Sequence, residues 1–140
     1  MQIRPAIASI ASIAFVTLLS HAAAFAQTSP VGSWKSATVN NPHWPSHNTT
    51  VLLTINDLGA DQRVTGRFSV NSPGASGGGG YNCPTGTVSG TFDGTVLKVA
   101  SKGSNLCAER NWEMKVSGDE MSGTYRGQDG NEIPMTYTRR

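Results

Sequence analysis

Charge is scarce in this chain: only 14% of its 140 residues are Asp, Glu, Lys or Arg. The 11 basic and 9 acidic residues leave a formal net charge of +2. Apart from the Arg139–Arg140 tail, the basic residues are scattered along the sequence. A nucleic-acid surface needs a basic patch or stripe, so nucleic acid is not an expected partner. Helical periodicity is missing after Gln27, and no later apolar run reaches the length of a membrane-spanning helix. Cysteine is reduced to Cys83 and Cys107. What remains is abundant glycine, frequent β-branched residues and alternation of polar with apolar positions, which is the signature of strands.

The first 26 residues read as an address. Arg4 precedes the apolar run "AIASIASIAFVTLL", and small residues at Ala24 and Ala26 follow it. That pattern predicts a secretory signal peptide over 1–26, cleaved after Ala26, with a bacterial style. No cysteine follows the run, so a lipid anchor is not expected. The product is expected in the periplasm or outside the cell, as one domain over residues 27–140, a length that supports one core. In such an oxidising compartment, Cys83 and Cys107 are expected to form a disulfide.

Eight strands are predicted, near 31–37, 50–56, 63–70, 86–92, 95–101, 110–116, 121–126 and 132–138. Side chains alternate across a strand, so Val51, Leu53 and Ile55 share one face. Trp112, Met114 and Val116 share another, opposite Asn111, Glu113 and Lys115. One apolar and one polar face per strand suits an antiparallel sheet wrapped on a single core. Short strands at regular spacing, joined by tight turns such as Asp93–Gly94, predict an all-β fold: an eight-stranded antiparallel up-and-down β-barrel.

One phrase recurs: "VTGRFSV" at 64–70, "VSGTFDG" at 88–94 and "MSGTYRG" at 121–127. Its glycines, Gly66, Gly90 and Gly123, fall on the inward face between an apolar residue and an aromatic. Glycine there allows a strand to coil sharply or another group to come close. The spacing is uneven, so these are similar strands of one barrel and not a tandem array.

In a meander, successive connections alternate between the two ends. "DLGADQ", "DG" and "SGDE" gather at one end. "TVNNPHWPSHNT", "NSPGASGGGGYNCPT", "KGSNLCAE" and "GQDGN" gather at the other, together with both cysteines. Function tends to sit on loops held by a rigid scaffold, so this long-loop mouth is the expected binding site.

The opening "GSW", the strand "VTGRF" followed by a long loop, and the later "VSGTFD" resemble the avidin/streptavidin family. The Gly-x-Trp opening is also similar to the wider calycin group. The resemblance implies an eight-stranded up-and-down barrel with a ligand entering at the mouth. Phe68 stands where the family's third strand has a tyrosine. The last strand offers no counterpart of the family's ligand-binding Asp. The resemblance therefore implies the barrel and its mouth, not biotin.

Sequence patterns that suggest chemistry lack its requirements. His43 and His47 in "HWPSH" have a metal-ligand spacing only on a helix, which Pro42 and Pro45 forbid. "GASGG" at 74–78 has the form of a nucleophile elbow, but that motif needs a strand-to-helix turn. "GGGG" lacks the Lys-Ser/Thr of a phosphate loop. Glu109 and Glu113 read as solvated charge. "NTT" at 48–50 fits a glycosylation acceptor only in a eukaryotic route. The expectation is a non-enzymatic binding protein without cofactor or metal. Its ligand would be a small apolar or aromatic molecule walled by Trp34, Phe68, Phe92, Trp112 and Tyr125, under a lid carrying Trp44 and Tyr81. The alternative is an inhibitor of a secreted hydrolase, a solid barrel acting through the same loops on a protein partner. Interior volume separates the two.

Overall fold

A computed structural model describes residues 28–40, 48–72, 81–104, 107–127 and 130–140, excluding the side chains of Asn40 and Tyr81. The expected signal peptide lies outside these residues. Nine strands run in chain order: β1 (Gly32–Ser36), β2 (Val39–Asn40), β3 (Asn48–Leu58), β4 (Arg63–Ser72), β5 (Tyr81–Phe92), β6 (Val96–Ser101), β7 (Arg110–Ser117), β8 (Glu120–Arg126) and β9 (Glu132–Arg139). Each of β3 to β8 pairs antiparallel with its successor, and β1 pairs with both β9 and β3. Eight strands therefore close into an antiparallel up-and-down barrel, an architecture consistent with a calycin-like fold. β2 is a two-residue addition on the mouth-side start of β3, which the sequence reading did not anticipate.

Alternation decides which side chains fill the barrel. Val51, Leu53 and Ile55 on β3, and Trp112, Met114 and Val116 on β7, are all buried. The residues between them on β7 are exposed, so each pleat has one apolar and one polar face. The repeated phrase has a steric cause. A Cβ at Gly66 would collide with the Thr54 carbonyl oxygen, one at Gly90 with that of Lys98, and one at Gly123 with that of Glu113. At each point the neighbouring strand's backbone lies across the position a side chain would take, which is how the wall coils.

The fourth predicted strand, 86–92, is longer in the structure: β5 begins at Tyr81. Phe68 pairs with Gly86 but Val70 pairs with Cys83, so β5 carries one extra residue opposite β4. This β-bulge accommodates Pro84, which has no N–H to give a ladder. It also changes the parity of the strand. Inward residues are even-numbered from Val88 to Phe92, yet Cys83 is buried. Without the extra residue Cys83 would face outward. The cysteine placed by sequence in a long loop therefore sits in a strand, aimed into the barrel.

Candidate functional site: the long-loop end of the barrel

The two ends of the barrel are built differently. The connections after β3, β5 and β7 are tight turns. In one of them, Asp93 Oδ1 accepts the Val96 and Thr95 backbone N–H groups at 2.7 and 2.8 Å. Those two hydrogen bonds hold its carboxyl below the usual value. Trp34 closes this end. Its indole Nε1 donates to the Pro30 carbonyl at 2.7 Å, and the Arg139 guanidinium lies 4.2 Å from its ring centroid. Arg139 also donates to the Val31 and Ser29 carbonyls and to Asp119 in the β7–β8 turn.

The other end holds the buried polar groups. Among the described residues, five polar or charged residues are buried: Ser36, Thr49, Ser72, Ser101 and Arg110. Each stands at or next to the mouth-side end of its strand. Their bonds explain the pattern. The β1–β3 register ends at Lys35 and Leu52, and Val51 N–H then donates to Ser36 Oγ at 2.8 Å. Where β6 and β7 part, Arg110 N–H donates to Ser101 Oγ at 2.9 Å, and Arg110 Nη1 donates to the Glu109 carbonyl. Thr49 and Ser72 hydroxyls lie 3.0 Å apart. Hydroxyls thus take over where the ladder runs out, as buried backbone donors require. The sequence reading missed all five. Each continues the two-residue alternation of its strand by one step past the last apolar residue, as Arg110 does before Trp112.

The expected disulfide is present. Cys83 on β5 and Cys107 in the β6–β7 loop are bonded, with Cα atoms 5.0 Å apart and both side chains buried. A bridge of this kind fits an oxidising compartment. It ties the β6–β7 loop to the inner face of β5, so this side of the mouth is covalently fixed.

The predicted ligand-wall residues do not form one surface. Phe68, Trp112 and Tyr125 come together, with ring centroids 5.1 Å apart for Phe68–Trp112 and 5.4 Å for Trp112–Tyr125. Trp112 Nε1 donates to the Tyr137 hydroxyl at 2.9 Å, and that hydroxyl donates to Met135 Sδ. Burial pushes the Tyr137 phenol pKa far up, so it stays a neutral donor. All three aromatics are at most 4% exposed. Trp34 sits toward the closed end, as above. Phe92 precedes the Asp93–Gly94 turn, remote from the mouth. Tyr81 begins β5 at the mouth, while Trp44, with His43 and His47, lies outside the described residues, as do all the glycines of 73–80. Glu109 and Glu113 are exposed, and Glu113 pairs with Lys98 at 3.2 Å. Among the described residues, no group of three His, Cys, Asp or Glu side chains could hold a metal, and no helix is long and apolar enough to cross a membrane.

No family model, curated protein or solved structure matches this chain.

Proposed function

We propose that this is a secreted, non-enzymatic binding protein that engages a protein partner through the long-loop end of a solid barrel. The observation that carries the reading is the state of the aromatics. A small-ligand site needs exposed aromatic faces in a cavity. Here Phe68, Trp112 and Tyr125 are spent on one another and on Tyr137, and all are buried. Admitting a ligand between them would mean separating packed rings, each pair contributing about 0.5–1.5 kcal/mol beyond its area.

The mouth supports the same reading. The disulfide fixes the β6–β7 loop in place, and interfaces preorganised in this way lose less entropy on binding. An inhibitor of a secreted hydrolase is the partner class to test first. The avidin-like phrases support the barrel and the choice of its mouth, and carry no proposal of biotin.

Native mass spectrometry of the protein purified from its own source tests this. The expected spectrum shows the bare mature chain, or that chain with a stoichiometric protein. A co-purified small molecule of constant mass would overturn the reading in favour of a ligand carrier.

A further inference from the structure

A second feature lies on the outer wall. Ser89, Ala100, Asn111, Arg126 and Glu132 are successive cross-strand partners on β5 to β9. The next outward row holds Lys98, Glu113 and Thr124. Small side chains at Ser89 and Ala100 leave a trough between longer ones, about 380 Å³ in volume. That lies near the lower end of ligand-site volumes, about 300–1,000 Å³.

The chemistry of the trough narrows its occupant. Two cations and two carboxylates line it, and they are already paired: Lys98 with Glu113, and Arg126 with Glu132. The trough is therefore neutral. A charged ligand therefore meets no net charge of opposite sign, so its charge adds little to binding. A hydroxylated ligand does not depend on charge. A guanidinium carries five donors and a carboxylate about four acceptor sites, so each pair has capacity beyond the bond that joins it. Asn111, between the pairs, offers a donor and an acceptor side by side, and Ser89 and Thr124 add hydroxyls. No aromatic ring faces outward here; Val99 and Trp112 contribute to the floor while their side chains are buried. Lipids and flat apolar molecules therefore find nothing to stack on.

We infer that the β5–β9 outer wall is a shallow site for a short neutral oligosaccharide, recognised by hydrogen bonds from two standing ion pairs and Asn111. The site is separate from the mouth and does not depend on the protein-partner reading. Shallow, wet and without stacking, it binds weakly, with Kd on the order of 1 mM.

The test is a solution NMR titration of the mature chain with neutral trisaccharides of glucose and of N-acetylglucosamine, with a lysine–glutamate peptide as control. Saturable amide shifts are expected at Ser89, Ala100, Asn111 and Thr124 with at least one sugar. Asn111→Ala and Arg126→Gln should each weaken that binding about tenfold, or roughly 1.4 kcal/mol. Both residues are exposed, and an unchanged spectrum elsewhere shows that the variants fold. The proposal is overturned by the absence of saturable shifts with either sugar, by shifts that survive both substitutions, or by tighter binding of the charged peptide.

Discussion

The closed end and the mouth of this barrel solve the same problem with opposite materials. Both must finish a sheet whose strands part. At the closed end the chain uses tight turns, an indole and one arginine that gathers two carbonyls and a carboxylate. At the mouth it uses serine and threonine hydroxyls, a buried guanidinium and a disulfide. A packed indole and its arginine make the base. Polar closure holds strand ends that feed long loops. Under the proposed function, the closed end chiefly supplies stability and the mouth supplies recognition.

The sharpest way to break that comparison is at its base. Trp34→Ala removes the closing indole and leaves Arg139 without its ring, and should destabilise the fold by about 3–5 kcal/mol in urea unfolding. The mouth has one comparable element. Replacing Cys83 and Cys107 together with Ala releases a loop of 24 residues' separation and should cost about 3 kcal/mol, with the far-UV spectrum unchanged. Deleting Thr85 should reach the same state by another route. It removes the bulge residue and turns Cys83 outward, so a thiol assay that finds no free thiol in the native protein should find two.

Smaller effects separate the ends further. Tyr137→Phe strands the buried Trp112 Nε1 donor and should cost about 1–3 kcal/mol. Ser36→Ala strands Val51 N–H and falls at the low end of the same range. Asp93 tests the closed end by pH. Its folded pKa is lowered below 3.8 by the backbone donors of Val96 and Thr95. The resulting stabilisation is fully present above the ordinary carboxyl value and is lost as pH falls through the lowered one. Thermal melts from pH 6 to pH 2 should show Asp93→Asn less sensitive to acid in that window. Smallest of all, Lys98→Gln breaks only an exposed ion pair and should change stability by less than about 1 kcal/mol.

Much of this was legible in the sequence because alternation is a local property. Val51, Leu53 and Ile55 announce their face without knowledge of any partner. Turn residues such as Asp93–Gly94 fix neighbours, and a chain of neighbours closes into a barrel. The uneven loop lengths were enough to distinguish the two ends. Parity shifts were not legible. Pro84 argues against a strand, and only the pairing of Val70 with Cys83 shows that a bulge makes it compatible with one. Ser101 and Arg110 were missed for a related reason. Each lies in phase with its strand, but a polar side chain at an inward position reads as the end of the pattern until the missing ladder bond is seen. Trp34, Phe68, Phe92, Trp112 and Tyr125 read as one wall because inward position carries no height. Register supplies the height, and it sets Phe92 apart from the Phe68–Trp112–Tyr125 group.

The proposed function requires a filled interior, and a neutral apolar fluorophore probes for one. N-phenyl-naphthylamine titrated into the folded mature protein should give no saturable fluorescence gain and no quenching of tryptophan emission, because Phe68, Tyr125 and Tyr137 already pack against Trp112. Saturable one-to-one uptake that disappears in a Phe68→Trp variant, which would fill any such space, would contradict the account and return the barrel to the ligand carriers.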